Sequence, residues 1–241
     1  MSNPPSQTFD SASSSTRYNE EQSSTSAHPP SHHPDPTVQD TDAAKRGLPS
    51  ASAASSSELS SLKISLRNAL RQFPDFPSPG ILFEDILPIF ANYELHESLV
   101  RALELHVKST YAQTPDVIVG LDARGFLFGP SLALRLKSKF VPVRKRGKLP
   151  GPTVTASYQK EYGEDFFQMQ SDGIAPGERV LVVDDIIATG GSAAAAGSLV
   201  KQLGGSLLGY VFILELDFLK GRDKLDAPVF TLLTGQEEKS T

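Results

Sequence analysis

The stretch Val180-Leu-Val-Val-Asp-Asp-Ile-Ile-Ala-Thr-Gly-Gly-Ser192 decides the fold prediction. It begins with four apolar residues, three of them β-branched, and such a run is typical of a strand buried in a parallel sheet. Two adjacent carboxylates, Asp184 and Asp185, follow at the carboxyl end of this strand. A short loop then opens an alanine-rich helix, so the stretch predicts a strand–loop–helix unit.

The loop Ala188-Thr189-Gly190-Gly191-Ser192 predicts an anion site. A helix N-terminus offers unpaired N–H groups and the positive end of the helix dipole, and the two glycines allow close backbone approach. The two carboxylates would instead meet hydroxyl groups or a hydrated cation, so together the groups indicate a sugar phosphate outside the strand ends. The plain alternative is a strand–loop–helix in which Asp and Ser act as caps. No Lys follows the glycines, which excludes a P-loop.

Composition excludes several classes of protein. A chain of 241 residues allows one or at most two domains. A net charge of −5 and a pI near 5.6 give no indication of binding to nucleic acid or to an anionic membrane. The absence of Cys excludes disulfides and thiol chemistry and suits a reducing compartment. Without a long apolar run, a signal peptide or a transit peptide, we expect a cytoplasmic protein.

The first 57 residues differ in kind from the rest. They are rich in Ser and Pro, and such a segment buries too little apolar surface to offset its ordering entropy, so we predict a disordered tail over 1–57. Three histidines in it, His28, His32 and His33, could hold a metal or form a flexible surface cluster. A partner-binding role for the tail stays open.

The folded part is predicted to begin with a helix. Ser55-x-x-Glu58 is a possible capping box, apolar residues follow at helical spacing to Phe73, and Pro74 would end the helix. The Pro- and Gly-rich segment 73–80 then leads to a short extended piece over 81–86. This segment could cover a planar ligand or simply pack as a loop.

Strands and helices alternate through the remaining chain. We predict helices over 94–111, from Gly125 toward Leu136, and over 193–203, with His96 and His106 at the surface. We predict strands over 116–121, 140–143, 166–170, 207–216 and 229–233, in addition to the one at 180–183, with the last at a sheet edge. This alternation predicts an α/β fold with a largely parallel twisted sheet flanked by helices.

Two further polar segments follow strand ends. Asp122-Ala123-Arg124 repeats the strand–loop–helix pattern and could hold a second anion, although Arg124 could instead pair with Asp122. The basic run Arg144-Lys145-Arg146-Gly147-Lys148 opens a long connection with no strong pattern of its own. Such runs are often solvated faces or localisation signals, which leaves the nucleus open as a second compartment. At a strand end, a long loop is often a lid, and its cations would neutralise an anionic ligand.

Several of these stretches together resemble the adenine branch of the type I phosphoribosyltransferases. They are Phe73-Pro-Asp-Phe-Pro-Ser-Pro-Gly80, Gly120-Leu-Asp-Ala-Arg-Gly-Phe-Leu-Phe-Gly129, Arg144-Lys-Arg-Gly-Lys-Leu-Pro-Gly-Pro152, Glu161-Tyr162-Gly163 and the stretch at 180–192. The resemblance covers about residues 58–233. It implies an N-terminal helix and adenine-covering hood over 58–90 and a core over 91–241 that carries a flexible lid at 146–165.

The resemblance implies transfer of phosphoribose from 5-phosphoribosyl-1-diphosphate (PRPP) to N9 of adenine, which gives AMP and diphosphate with Mg²⁺. It implies that Asp184 and Asp185 hold the ribose hydroxyls, that loop 188–192 holds the 5-phosphate, and that Glu161 acts as acid or base beside Tyr162. The diphosphate would meet Asp122, Ala123, Arg124, Arg144, Lys145 and Lys148. The adenine would meet Leu82, Phe83, Glu84 and Ile186, with no protein ligand assigned to the metal. The resemblance also implies a non-proline cis peptide in the turn at 122–124.

Two other functions stay open. The first is a non-catalytic sensor of PRPP or purines, against which an intact Glu161 argues. The second is a transferase for a 6-oxopurine, which would be expected to carry an acid–base Asp in the central loop, where this chain has Ile187-Ala188. The resemblance also implies a homodimer, and neither a nucleic acid nor a membrane is expected as a partner.

Overall fold

A computed structural model describes residues 51–76, 79–80, 82–160 and 163–233. Its helices are α1 (Ala51–Asn68), α2 (Leu87–Phe90), α3 (Tyr93–Thr110), α4 (Gly129–Leu136) and α5 (Gly191–Gln202). Its strands are β1 (Arg71–Pro74), β2 (Leu82–Asp85), β3 (Val117–Leu121), β4 (Lys139–Lys145), β5 (Thr153–Lys160), β6 (Gly163–Gln170), β7 (Arg179–Ile187), β8 (Ser206–Glu215) and β9 (Val229–Thr231). Short 3₁₀ turns span Arg124–Leu127, Asp217–Leu219 and Gly221–Lys224. In this part of the chain no helix is both long and apolar enough to cross a bilayer.

One mixed sheet organises the described residues. Its strand order is β5-β6-β4-β3-β7-β8-β9, and β4, β3, β7, β8 and β9 run parallel. Strand β7, which carries the carboxylate pair, lies between β3 and β8. The predicted α/β fold is confirmed, and β9 lies at the sheet edge as expected.

The sheet is covered on both faces, which explains the continuous apolar runs in its sequence. Successive residues of β7 pack into different clusters, with Val180 and Val182 on one face and Leu181 and Val183 on the other. The first cluster includes α5 residues, and the second includes residues of α1, α3 and α4. Because both faces are buried, the strand ends are the places where polar side chains can gather.

The N-terminal helix differs from its prediction at both ends. Helix α1 begins by Ala51, so residues 51–57, which the composition places in a disordered tail, are helical, and residues 1–50 lie outside the described part. The hydroxyls of Ser60 and Ser61 bond back to carbonyls one turn earlier, which satisfies them within the helix. The helix ends at Asn68 rather than at Pro74.

Residues 71–74 form a strand because they find a partner. Strand β1 pairs antiparallel with β2, and Phe73 lies opposite Phe83. Arg71 also donates to the Asp85 carboxylate at 2.6 Å. Cross-strand pairing with β2 gives these residues backbone hydrogen-bond partners, so they form a strand instead of extending α1. Pro74 is tolerated because it lies at the end of an edge strand.

The expected structureless lid contains a β-hairpin. Strands β5 and β6 pair over eight residue pairs, from Thr153–Gln170 to Lys160–Gly163. The base of the hairpin joins the sheet through Arg144–Gln168 and Lys145–Phe167. The prediction of a structureless connection at 146–165 is therefore wrong, since about half of these residues belong to β5 and β6.

The two histidines of α3 are not simple surface residues. His106 stacks on Phe230, with ring centroids 3.4 Å apart and an interplanar angle of 9°. His96 packs edge-on against Phe90. Both are partly buried, and the Nε2 atom of each is buried without a hydrogen-bond partner among the described residues. The surface prediction for both is wrong, because β9 and α2 cover this side of the helix.

Candidate active site

A polar cavity opens at the carboxyl ends of β3 and β7. These strands are adjacent and parallel, so the turn after β3 and the loop after β7 meet at one edge of the sheet. The cavity has a volume of about 260 Å³. It is lined by Asp122, Ala123, Arg124, Lys145, Tyr158, Phe167, residues 184–193 and Phe212. All the residues predicted to bind ribose, phosphate and diphosphate, except Arg144 and Lys148, therefore line one cavity.

The carboxylate pair lies against a single guanidinium. Arg124 Nε lies 2.8 Å from Asp185 Oδ2, and the Asp185 backbone N–H donates to Asp184 Oδ1 at 2.9 Å. Burial, and then the adjacent charge of Asp185, raises the pKa of Asp184 well above its usual range. Burial also raises the pKa of Asp185, although Arg124 acts in the opposite direction. The pair is thus poised to gain from hydroxyl or cationic partners.

The loop after β7 leaves a helix N-terminus open to the cavity. Gly190 adopts φ +76°, the left-handed conformation that favours glycine, and α5 begins at Gly191. Within the described residues no side chain caps this helix, so its first amide groups keep their hydrogen-bonding capacity for a ligand. Thr189 and Ser192 also line the cavity. The arrangement suits an anion such as a phosphate.

The turn after β3 shows how its charges are shared. The Asp122–Ala123 peptide is cis, as the resemblance implies. Arg144 Nε donates to Asp122 Oδ2 at 3.1 Å, so Asp122 pairs with Arg144 and the alternative pairing with Arg124 is wrong. Arg144 also donates to the Lys148 carbonyl at 3.2 Å. Lys145 lines the cavity, whereas Arg144 and Lys148 do not.

An apolar pocket of about 370 Å³ adjoins the polar cavity. It is lined by Phe73, Phe76, Phe83, Asp85, Ile86, Leu87 and Arg124. The rings of Phe76 and Phe83 meet edge-on with centroids 5.1 Å apart. Arg124 lines both cavities, so the two meet at this side chain. A flat apolar ligand beside a sugar phosphate would fit this pair of spaces.

The expected adenine contacts divide between the two cavities. Phe83 lines the apolar pocket, and Ile186 lines the polar cavity. The Glu84 side chain is buried and accepts hydrogen bonds from Arg67 at 3.4 Å and Gln72 at 3.3 Å. Within the described residues β2 pairs only with β1, so its second edge keeps backbone groups for a ligand beside Leu82.

The predicted acid–base residues Glu161 and Tyr162 lie outside the described residues. Tyr158, three residues earlier in β5, lines the cavity, and its hydroxyl donates to Asp165 Oδ2 at 3.1 Å. Burial, with the hydrogen bond to and charge of Asp165, raises the pKa of Tyr158 to about 12. The phenol therefore stays protonated at neutral pH and acts as a donor.

Comparison with known proteins identifies this arrangement. A family model for the phosphoribosyl transferase domain matches residues 91–239. Adenine phosphoribosyltransferase of Debaryomyces hansenii is 62% identical over 182 residues, which cover 76% of this chain and 96% of that protein. Adenine phosphoribosyltransferase 1 of Saccharomyces cerevisiae is 60% identical over 174 residues, which cover 72% and 93%. The chain belongs to the adenine phosphoribosyltransferase family.

Solved structures agree with this membership. The crystal structure of adenine phosphoribosyltransferase from Saccharomyces cerevisiae, complexed with adenine and an imino-altritol bisphosphate, matches with a TM-score of 0.71 and 59% identity. It covers 72% of this chain and 99% of its own. An adenine phosphoribosyltransferase from Rhodothermus marinus matches with a TM-score of 0.66 and 45% identity over 73% of this chain and 99% of its own.

Several residues at or near the cavity escaped the sequence prediction for this member of the adenine phosphoribosyltransferase family, among them Phe167, Phe212 and Asp165. Phe167 and Phe212 line the cavity from β6 and β8, where they look like ordinary core residues in the sequence. Asp165 lies opposite Tyr158 in the hairpin register. Pairing β5 with β6 in the sequence would have brought Asp165 beside Tyr158, whereas nothing in the sequence marks the two phenylalanines.

Proposed function

We propose that this chain transfers the 5-phosphoribosyl group of PRPP to N9 of adenine and forms AMP and diphosphate, a reaction of purine salvage. Membership of the adenine phosphoribosyltransferase family supports this pentosyltransferase activity. The observation that carries it is the junction of a polar cavity and an apolar pocket at Arg124. One space suits a phosphorylated sugar and the other a planar base, so a bond between them can form at the junction.

The polar cavity would hold PRPP by its chemistry. Loop 188–192 would receive the 5-phosphate at the N-terminus of α5. Asp184 and Asp185 would accept hydrogen bonds from the ribose hydroxyls, and these new partners would favour the ionised carboxylates that burial disfavours. The turn at 122–124 and Lys145 would meet the diphosphate, while Arg144 would reach it only by leaving Asp122 and the Lys148 carbonyl. Lys148 does not line the cavity and would reach the diphosphate only by movement of its segment.

The apolar pocket would hold adenine. Phe83 would contact one face of the base, and the free edge of β2 at 82–84 would read its hydrogen-bonding edge through main-chain groups. Ile186 would contact the base from the polar cavity side. Such packing gives a planar ligand large contact area at little entropic cost, while the backbone groups give the selectivity.

The reaction breaks the bond from C1 of the ribose to diphosphate and forms a bond from N9 to C1. The electron pair leaves with the diphosphate, and positive charge develops on the ribose ring, as in other glycosyl transfers. Arg124 and Lys145 would stabilise the departing anion in a site without bulk water. We propose that N9 passes its proton to the Glu161 carboxylate, with the adjacent Tyr162 as the second predicted catalytic residue.

Mg²⁺ would fit this site without a protein cage. Among the described residues no group of three or more His, Cys, Asp or Glu side chains could hold a metal. The ligands would then be oxygens of PRPP and water. When bound, the ion would neutralise charge on the diphosphate leaving group.

A substrate panel tests the proposal. Diphosphate release should be measured with PRPP, Mg²⁺ and adenine, hypoxanthine or guanine, and we expect turnover with adenine alone. Turnover with hypoxanthine would identify a 6-oxopurine transferase, and binding of PRPP without any release would identify a sensor. Either result contradicts the proposal.

The acid–base assignment has its own test. Glu161→Gln should lower kcat by about 10²- to 10⁴-fold, as expected for loss of a general acid or base. The affinity for PRPP, measured by calorimetry, should stay unchanged, because Glu161 acts on the adenine ring. An unchanged kcat would remove Glu161 from the mechanism.

We also propose a homodimer in the cytoplasm. Tyr93 and Leu134 are 82% and 81% exposed on α3 and α4, so they offer apolar surface that a second copy of the chain could cover. Absence of Cys suits a reducing compartment. Sedimentation of the wild type and of Leu134→Glu would test the assembly, since the variant should shift toward monomer.

A further inference from the structure

A segment far along the chain packs against the back of loop 188–192. Gly221 is buried and begins the 3₁₀ turn Gly221–Lys224. A Cβ at Gly221 would overlap the Ala188 carbonyl oxygen and lie 2.9 Å from the Gly190 nitrogen. A Cβ at Gly190 would in turn overlap the Gly221 carbonyl oxygen. The two backbones are therefore in direct contact, with no room for a side chain between them.

The next residue anchors this segment to the sheet. Arg222 donates from Nε and Nη2 to the two carboxylate oxygens of Glu215, both at 2.5 Å. It also donates to the Val229 carbonyl at 2.7 Å and to Thr231 Oγ1 at 2.8 Å. A bidentate guanidinium–carboxylate pair fixes orientation as well as distance. The position of Gly221 is thus set by β8 and β9.

Glu215 connects the anchor to the strand that carries the loop. It is buried at the end of β8, opposite Ile187, the last residue of β7. The Leu216 N–H donates to the Ile187 carbonyl at 2.9 Å. The end of β8 therefore fixes the point at which loop 188–192 leaves β7. Gly221, which contacts Ala188 and Gly190, limits how far the backbone of this loop can move.

We propose that Gly221 and the Arg222–Glu215 pair are positioning residues that set the shape of loop 188–192 and so the affinity for the 5-phosphate of PRPP. This inference rests on the proposed role of that loop. Neither Gly221 nor Arg222 lines the cavity, so both act through the backbone of residues 188–190. Hydrogen bonds from backbone amides depend on distances of tenths of an ångström, and a misplacement of about 1 Å can cost about 10²-fold.

Three variants and a matched control test the proposal. Gly221→Ala pushes on the loop directly, Arg222→Met removes the anchor, and Arg222→Lys keeps charge without the bidentate geometry. The control is Arg179→Met, which breaks the ion pair of Arg179 with Asp116 at the opposite end of β7. Calorimetry should measure the affinities for ribose 5-phosphate and for inorganic diphosphate, with KM for PRPP measured alongside.

We expect Gly221→Ala and Arg222→Met to weaken ribose 5-phosphate binding at least about tenfold while diphosphate binding changes less than about twofold. Arg222→Lys should lie between Arg222→Met and the wild type, and Arg179→Met should match the wild type. KM for PRPP should rise in parallel with the loss of ribose 5-phosphate affinity. If Gly221→Ala does not fold, the two Arg222 variants carry the same comparison.

Equal losses of both ligands would indicate a general defect and overturn the proposal, as would ribose 5-phosphate affinity within about twofold of the wild type. Ser192→Ala separates this outcome from failure of the underlying function. If Ser192→Ala weakens ribose 5-phosphate binding and Gly221→Ala and Arg222→Met do not, the loop holds the phosphate and the positioning role is wrong. If the wild type itself does not bind ribose 5-phosphate, the phosphate role of the loop is contradicted.

Discussion

Replacing His106 with Phe should make the folded chain more resistant to acid. The imidazole stacks on Phe230, its Nε2 atom is buried without a partner in the described part of the chain, and Lys63 is a nearby cation. Burial, and then the charge of Lys63, lowers the pKa of His106 from 6.5 to about 4. Phe keeps the apolar ring contact and removes the titrating group.

The sign and size of this effect on the free energy of unfolding follow from the difference in the His106 pKa between the folded and unfolded states. Because the folded state disfavours the imidazolium, the stability from the neutral ring is fully present above pH 6.5 and is lost as the pH falls toward 4. The full shift corresponds to about 3 kcal/mol, and partial exposure of the ring reduces this to about 1–2 kcal/mol. Among the described residues, the hydroxyl of Thr110, 3.2 Å from Nδ1, is the hydrogen-bond partner of the ring.

Urea unfolding of the wild type and of His106→Phe at pH 7, 5.5 and 4.5 measures this difference. The wild type should lose about 1–2 kcal/mol more than the variant over this range. His106→Gln serves as a second variant, because it also removes the titration but leaves a polar group. Equal acid sensitivity in all three proteins would contradict the reasoning, and NMR titration of the His106 ring would show its pKa directly.

Three further outcomes are expected. Phe83→Ala should raise KM for adenine about 5- to 150-fold with KM for PRPP unchanged, because a base loses about 1–3 kcal/mol of stacking; equal changes in both constants would contradict a base pocket. Asp184→Asn combined with Asp185→Asn should weaken PRPP binding strongly, and unaltered calorimetric affinity would refute the ribose role. Arg179 lowers the pKa of Asp116 to about 2, so this pair adds stability above pH 3.8 that is lost as the pH falls through 2; Asp116→Asn should lose that component in acid unfolding.

The sequence predicts the sheet and the cavity well because their signals are local. The apolar run at 180–183 is buried on both faces, and the polar residues that follow it can lie only at the strand end. The same holds for the strand at 117–121 and the turn at 122–124. Parallel neighbours bring these turns together without any further information from the sequence.

The prediction fails where a distant partner decides the local structure. Phe73 continues the helical spacing of α1, but its pairing with Phe83 makes it part of a strand. His106 looks polar and exposed until Phe230 from β9 stacks on it. The ion pairs at the site could not be read from the sequence either, since Arg124 pairs with Asp185 and not with the nearby Asp122.

One failure was avoidable from the sequence. Residues 153–158 alternate between Thr or Ser and apolar side chains, and the apolar ones, including Ala156 and Tyr158, face the core. A period of two over six residues is a strand signal. The basic run and the Pro-Gly-Pro segment before it favour a loop, and these stronger signals precede the alternation directly.

Arg124 lines both the polar cavity and the apolar pocket. Its Nε atom lies 2.8 Å from Asp185 Oδ2, so the residue that lines both cavities is also ion-paired. Any replacement of this side chain changes the lining of both cavities and also removes the ion-pair partner of the Asp185 carboxylate. Kinetic defects of Arg124 variants therefore cannot be assigned to one substrate. An inhibitor that fills both cavities must either contact this side chain or displace it.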